Sequence, residues 1–195
     1  MLALAHGAGA GMRHPFMEDL ARALAAGGVA TLRYQFPYME QRARRPDSPA
    51  VATATVRAAC ASAVEHAGGV PVFAGGKSFG GRMTTTAASE EPLAGVTGIV
   101  LFGFPLHPPN RPAVSRAGHL SQVAFPMLFL QGTRDELADL ALIRETCGTL
   151  GPQATLHVVE GADHSFHVLK RSGRTDVEVL DELVTTFADW AARHR

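Results

Sequence analysis

The chain has 195 residues, of which 46% are hydrophobic and 18% charged, so it can bury a substantial core and is not intrinsically disordered. Eighteen basic residues balance eighteen acidic ones, and no basic stripe favours a nucleic-acid partner. At about 150 residues per domain, this length predicts a single domain over residues 1–195.

The cysteines and the apolar segments bear on where the protein works. Cys60 and Cys147 lie far apart without metal-ligand spacing, which predicts buried apolar side chains in a reducing, cytoplasmic compartment. The apolar start of the chain lacks a basic leader, which argues against secretion. The longest apolar stretch, residues 95–106, is far shorter than the ~20 residues that span a bilayer, so we expect no membrane partner.

Apolar runs alternate with amphipathic stretches along the chain, which is the pattern of an α/β fold. Several runs are continuously apolar, as in parallel strands that are covered on both faces. The sequence therefore predicts a doubly wound, mostly parallel sheet of six strands, at residues 2–5, 29–36, 71–74, 96–104, 126–131 and 155–160. Ligands bind such sheets beyond the carboxyl ends of the strands, where we expect the functional site.

Helix signals lie between these strands. Pro15 and the pair Ser48-Pro49 are typical helix starts, and Thr175 with Glu178 has the spacing of a capping box. Glycines that follow the amphipathic stretches mark helix ends. The predicted helices lie at residues 15–27, 48–68, 137–148 and from 175 onward.

The third predicted strand leads into Gly76-Lys77-Ser78-Phe79-Gly80, a G-x-S-x-G motif. In a sharp turn from strand to helix, the serine hydroxyl stands exposed on strained backbone, and side chains at the flanking glycines would clash with neighbouring backbone. The motif predicts that Ser78 is a nucleophile. The alternative is a glycine-rich turn with an incidental serine.

A serine nucleophile needs a base that takes its proton and a carboxylate that orients the base. Asp135 follows the fifth predicted strand and His164 follows the sixth, which places both at the same edge of the sheet as the motif. Asp139 is a second candidate for the acid, although we expect it in the following helix. Asp163 is more simply explained as a loop-capping residue.

Acyl transfer also needs amide donors that point at the developing oxyanion. We expect one from Phe79, directly after the nucleophile, and one from the glycine-rich loop of residues 6–11, where Ala8 is the first choice and Gly9 the alternative. His6 either shapes this loop or is a buried histidine at a strand end. The loop matches neither G-x-G-x-x-G nor the Walker pattern, so nucleotide binding is not favoured.

Substrate contacts are expected near the strand ends, from Gly9, Arg82, Phe104 and Phe166. Guanidinium groups pair with carboxylates, so Arg82 and the loop residues Arg42, Arg44 and Arg45 are candidates to hold an acidic substrate; a solvated basic loop is the alternative. The aromatic residues, Phe79 included, would line an acyl pocket, but core packing explains them equally well.

No metal or cofactor is predicted, because His164 and His167 lack a third ligand at convincing spacing and H-E-x-x-H is absent. Residues 105–121 are rich in proline and lack a long amphipathic pattern, so we expect no cap domain there. An open, shallow site for small or extended substrates follows.

Taken together, these motifs resemble the α/β-hydrolase superfamily, which carries serine, acid and histidine in this chain order. The chain is similar to small, lid-less bacterial serine hydrolases described as dienelactone-hydrolase-like, and among them to a subgroup with eukaryotic relatives in chromatin-associated complexes. It shares with that subgroup the His-Gly-Ala-Gly start, the Gly-Lys-Ser-Phe-Gly-Gly-Arg elbow and the Gly-Ala-Asp-His-Ser-Phe end.

The resemblance implies a minimal α/β-hydrolase fold without the first two strands of the full superfamily sheet, and hence the strand order 2-1-3-4-5-6. It also implies Ser78 as nucleophile, His164 as general base and Asp135 as acid. A dienelactone hydrolase proper uses cysteine, so the serine departs from that substrate class. We therefore predict a serine hydrolase that cleaves a small-molecule carboxylic ester or thioester through an acyl-enzyme. A non-catalytic interaction module is the alternative, and amidase chemistry would use the same residues.

Overall fold

Six strands form one parallel sheet in the computed structural model, which describes residues 1–194. In chain order they are β1 (Leu2–Ala5), β2 (Thr31–Tyr34), β3 (Val72–Lys77), β4 (Val96–Phe102), β5 (Met127–Gly132) and β6 (Ala154–Val159). Their order across the sheet is β2-β1-β3-β4-β5-β6, and all five pairings between them are parallel. The predicted fold class and strand order are confirmed.

Among residues 1–194, six α-helices connect or follow the strands: α1 (Pro15–Ala26), α2 (Pro37–Glu40), α3 (Pro49–His66), α4 (Phe79–Glu90), α5 (Leu140–Leu150) and α6 (Asp176–Arg193). The predicted start signals are used as expected. Ser48 Oγ accepts the Val51 amide, and Thr175 and Glu178 form a reciprocal capping box at the start of α6. The four-residue helix α2 lies in a segment that the sequence predicted as loop.

The two faces of the sheet are covered by different helices, as the continuously apolar strands predicted. In β1, Ala3 and Ala5 join the core under α3, α4 and α5, whereas Leu2 and Leu4 join the core under α1 and α6. This alternation follows from the two-residue period of a strand. Both cysteines are buried and free, as expected for small apolar side chains.

Several predicted boundaries differ by a few residues from those of the structure, and two of the differences have identifiable reasons. Strand β2 is shorter than residues 29–36 because the Phe36 amide leaves the ladder and donates to His6 Nε2 at 3.0 Å. Strand β3 continues past Ala74 to Lys77. Helix α5 begins at Leu140 and not at Leu137, because the carboxylate of Asp139 accepts the amides of residues 141 and 142, both at 3.0 Å.

Between β4 and β5 the chain forms no cap domain. Within residues 103–126 it contains the short 3-10 turn Leu120–Gln122 and otherwise runs irregularly. Across residues 1–194, no helix combines the length and the hydropathy that crossing a membrane requires. Within the described residues, the segment between β4 and β5 therefore places no folded domain over the carboxyl ends of the strands.

Candidate active site

Ser78 occupies a strained turn between β3 and α4. Its backbone has φ 51° and ψ −114°, a conformation that costs a non-glycine residue about 1–3 kcal/mol. A Cβ atom added at Gly76 would lie 2.6 Å from the Ala5 carbonyl oxygen, and one at Gly80 would lie 2.5 Å from the His6 carbonyl oxygen. Both glycines are needed because β1 passes too close for any side chain.

The structure brings Ser78, His164 and Asp135 into one hydrogen-bonded chain. The Ser78 hydroxyl lies 2.9 Å from His164 Nε2, and His164 Nδ1 lies 2.8 Å from Asp135 Oδ2. Because an ionised carboxylate only accepts hydrogen bonds, Nδ1 donates to Asp135, and Nε2 is left to accept the serine proton. This is the arrangement that a serine nucleophile and its base require.

Asp135 is held by two further donors besides the imidazole. Gln131 Nε2 donates to Asp135 Oδ2 at 2.5 Å, and the Leu137 amide donates to Oδ1 at 2.8 Å. The other end of the Gln131 amide accepts the Phe104 N–H at 3.0 Å. The carboxylate side chain is wholly inaccessible to solvent, so its orientation is fixed by these bonds. Sequence analysis missed Gln131, whose only signal was its place at the end of β5.

Lys77, which directly precedes Ser78 in the G-x-S-x-G motif, is a second residue whose burial the sequence analysis did not predict. It is only 9% exposed, and its Nζ atom has no hydrogen-bond acceptor among residues 1–194. Burial lowers the pKa of this ammonium to about 8, against the smaller opposing effects of the Asp135 and Asp163 carboxylates. Its Nζ lies 5.5 Å from the centre of the Phe166 ring, which supplies a cation–π contact.

The glycine-rich loop after β1 lies against the turn that holds Ser78. A Cβ atom added at Gly7 would lie 3.7 Å from Ser78 Cβ, and Ala8 lines both cavities that open beside Ser78. Among residues 1–194, neither the Ala8 nor the Phe79 amide has an acceptor within the protein. Both amides are thus available to an external oxygen. The Gly9 amide is instead 3.4 Å from the Tyr38 hydroxyl.

His6 fixes this loop. Its Nδ1 donates to the Gly7 carbonyl at 2.8 Å and its Nε2 accepts the Phe36 amide at 3.0 Å, so both ring nitrogens are satisfied. Burial lowers the pKa of the His6 side chain and favours the neutral ring that these bonds need. Both sequence interpretations of His6 therefore hold, since it is a buried strand-end histidine that also shapes the loop.

Two cavities flank Ser78. One, of about 180 Å³, is bounded by His14, Phe16 and Met17 together with His164. The other, of about 540 Å³, contains three arginines and is called the arginine cavity here; its lining includes Arg45, Arg82, Arg116, Asp47, Phe79 and Ser78. The hydroxyl thus stands at a place that a ligand can reach from two sides.

The comparisons with known proteins agree with this geometry. The profile of the family described as alpha/beta hydrolase domain matches residues 1–192. The chain belongs to the alpha/beta hydrolase family. Among solved structures, this α/β hydrolase is similar to an alpha-beta serine hydrolase homologue from Coxiella burnetii, with TM-score 0.74 and 21% identity over 95% of this chain and 84% of that one.

Two further structures share the fold of this α/β hydrolase. A serine hydrolase without lid from Xanthomonas campestris is 21% identical, with TM-score 0.72 over 97% of this chain and 82% of that one. The esterase domain of a Rhodothermus marinus protein is 17% identical, with TM-score 0.71 over 99% of this chain and 86% of that one. At these identities the likeness establishes the common fold.

Several residues predicted to bind substrate lie away from the two cavities of this α/β hydrolase. Phe104 is 1% exposed and packs edge-on against Phe129, with ring centres 5.8 Å apart. Phe166 is 3% exposed and stacks on Phe16. Neither lines one of the two cavities beside Ser78, and Gly9 does not either, whereas Arg82 lines the arginine cavity; the burial of both phenylalanine rings favours the core-packing interpretation.

The alternative acids and the histidine pair have other roles. Asp139 caps α5, and the Oδ1 atom of Asp163 accepts the amides of Ser165 and His167, as expected of a loop cap. His167 Nδ1 pairs with Asp176 at 2.8 Å, away from His164. Within residues 1–194, no three His, Cys, Asp or Glu side chains are grouped as metal ligands would be.

Proposed function

We propose that this α/β hydrolase is a serine hydrolase that cleaves a carboxylic ester or thioester through an acyl-enzyme. The observation that carries the proposal is the hydrogen-bonded chain Ser78–His164–Asp135, built from the carboxyl ends of three parallel strands. Fold alone does not assign an activity, so the site must support it. Here the proposed nucleophile, base and orienting acid lie within hydrogen-bonding distance of one another.

In the first half of the reaction, Ser78 Oγ attacks the carbonyl carbon while His164 Nε2 takes the hydroxyl proton. The new bond joins Oγ to the acyl carbon, and the electron pair of the carbonyl moves onto its oxygen. When that tetrahedral adduct collapses, the bond to the alcohol or thiol breaks and His164 returns the proton to the leaving group. Asp135 stabilises the imidazolium that exists between these events.

In the second half, a water molecule repeats the attack on the acyl carbon. His164 accepts one water proton and returns it to Ser78 Oγ as the acid leaves. The Phe79 and Ala8 amides would hold the oxyanion in both halves, and one such donor is worth about 2.7–4 kcal/mol. Neither amide has an acceptor among the described residues 1–194, which supports this role.

The open rim favours small or extended substrates. No cap domain covers the strand ends, and Ser78 borders a cavity of about 540 Å³ on one side and one of about 180 Å³ on the other. We propose that these two cavities receive the acyl group and the leaving group, because the tetrahedral carbon bonded to Ser78 Oγ carries both groups.

Hydrolysis of p-nitrophenyl butyrate and of the matching thioester tests this function. We expect turnover by the purified chain, with kcat/KM reduced at least about 10³-fold in Ser78→Ala and in His164→Ala. Ser121→Ala is the matched control, because Ser121 is exposed and lies outside both cavities. Folded protein that hydrolyses neither compound, or that keeps its activity in both variants, would favour a non-catalytic interaction module instead.

A further inference from the structure

The half-buried arginines of this protein divide into two groups. Arg33, Arg57 and Arg174 each form a salt bridge with a glutamate. Arg82 and Arg116 are also half-buried, yet within residues 1–194 neither has a carboxylate partner. Partial burial of a guanidinium without a carboxylate partner costs folding free energy, so the lack of such a partner at both residues calls for an explanation.

Arg82 is tied to the nucleophile by the helix that follows it. It lies four residues after Ser78 in α4, where its amide donates to the Ser78 carbonyl at 3.0 Å. Its guanidinium carbon lies 5.9 Å from the centre of the Phe79 ring, which orients the group. The Nε atom is fully buried and has no acceptor among residues 1–194, so one donor of the fork is unsatisfied.

Arg116 reaches the same cavity from the irregular segment between β4 and β5. One of its terminal nitrogens donates to the His107 carbonyl at 3.3 Å, which anchors the side chain. Burial, and next the positive charge of Arg116, lower the pKa of Arg82, which means that the two cations repel each other. An anion bound between them would relieve this repulsion.

The arginine cavity carries a net excess of positive charge beside Ser78. Arg45, Arg82 and Arg116 line it, and the acidic residue in its lining is Asp47, whose Oδ2 atom accepts the Tyr38 amide at 3.0 Å. Ser78, Phe79 and Ala8 line the same space. A small molecule bound by the guanidinium groups of Arg82 and Arg116 would therefore occupy the same cavity that Ser78 lines.

We propose that Arg82 and Arg116 bind an anionic group of the substrate, so that the preferred substrates are esters or thioesters whose acyl part carries a carboxylate. The inference rests on the proposed hydrolase function and narrows it to a substrate class. Guanidinium forks fit a carboxylate in bidentate geometry, and such charge-assisted hydrogen bonds are stronger than neutral ones. Phe79 and Met83 also line the arginine cavity, so the chain that links the carboxylate to the ester would meet apolar side chains there.

Two esters that differ by one charge test the proposal. They are p-nitrophenyl hydrogen adipate, which has a free carboxylate, and p-nitrophenyl methyl adipate, in which that carboxylate is capped. We expect the wild-type kcat/KM to favour the charged ester about tenfold to hundredfold, and the preference to shrink with added salt. In Arg82→Gln and Arg116→Gln the ratio should fall towards one.

Arg111→Gln is the matched control, because Arg111 is exposed on the same segment and does not line the cavity. It should keep the wild-type ratio. Arg116 lies outside regular secondary structure, so Arg116→Gln tests the proposal even if Arg82→Gln does not fold. A ratio of one in the wild-type protein, or a ratio that both variants leave unchanged, would overturn the proposal.

Calorimetric titration of Ser78→Ala with adipate separates this inference from the proposed function. Adipate binding that is lost in Ser78→Ala/Arg82→Gln, without turnover of either ester by the wild type, would support the anion site and overturn the hydrolase proposal. Turnover of both esters at equal rates, without adipate binding, would overturn the anion site alone.

Discussion

His164 Nε2 lies 2.9 Å from the Ser78 hydroxyl, although 86 residues separate the two along the chain. Two features of the fold produce this contact. The parallel sheet collects the carboxyl ends of β3 and β6 at one rim, and the positive φ of Ser78 lifts its side chain out of the strand direction. The contact therefore depends on the arrangement of the sheet as well as on the local backbone of Ser78.

Gln131 is expected to position Asp135. In Gln131→Met, which keeps the size of the side chain, Asp135 loses one of three donors and the Phe104 amide loses its acceptor. We expect kcat/KM for a neutral ester to fall about tenfold or more, and the free energy of unfolding to fall by about 1–3 kcal/mol. Enzyme kinetics and urea unfolding measure the two effects. Gln122→Met, at an exposed position, should change neither, and unchanged kinetics in Gln131→Met would remove the role assigned to Gln131.

Lys77 is expected to lower stability at neutral pH. Its pKa is about 8 in the folded chain against an ordinary 10.5, so between these values the unfolded chain binds more protons and stability rises with pH. Below pH 8 the full cost of holding the charge is present. Lys77→Met should therefore raise the free energy of unfolding by about 3 kcal/mol at pH 7, and by clearly less at pH 10.

Urea unfolding of both proteins at pH 7 and pH 10 measures this difference. Lys170→Met is the control, because Lys170 is exposed and is the only other lysine of the sequence. A Lys77→Met protein that is less stable than wild type at pH 7 would contradict the expected sign and would mean that the ammonium has a compensating partner.

Two glycine substitutions with opposite expected effects on stability test the packing of β1 against the Ser78 turn, with a site in α5 as the comparison. In Gly76→Ala the new Cβ would lie 2.6 Å from the Ala5 carbonyl oxygen, so we expect a loss of about 1–3 kcal/mol in unfolding free energy. In Gly148→Ala, inside α5, nothing lies within 4 Å of the new Cβ, and the helix should gain about 0.5–1 kcal/mol. Thermal unfolding reports both, and equal melting temperatures for the two variants would contradict the close approach of β1.

Much of the fold was predictable because its signals are local. The strand runs, the capping box at Thr175 and Glu178 and the glycines around Ser78 each report on a few neighbouring residues. The strand order was implied by the resemblance to the α/β-hydrolase superfamily, whereas the right-handedness of parallel crossovers predicted only a doubly wound sheet. Ser78, Asp135 and His164 were predicted to lie near one another because each follows a strand, and the carboxyl ends of parallel strands meet at one edge of the sheet.

The rest of the site depends on side-chain directions that no local pattern sets. Phe104 turns into the core because its amide is fixed to Gln131, and Phe166 turns towards Phe16 and Lys77. Arg116 reaches the arginine cavity only through the path of an irregular segment, whose sequence has no period. For the same reason Arg42 and Arg44, predicted alongside Arg45, do not line that cavity.

Labelling with a fluorophosphonate, located by peptide mass spectrometry, tests the nucleophile most directly. Because the reagent transfers a phosphonyl group only to an activated hydroxyl, we expect one label on Ser78, none in Ser78→Ala and strongly slowed labelling in His164→Ala. Ser165, which lines the cavity of about 180 Å³ together with Ser78, should remain unlabelled. Folded wild-type protein that acquires no label, or acquires it on another serine, would contradict the assignment of Ser78 as a nucleophile activated by His164.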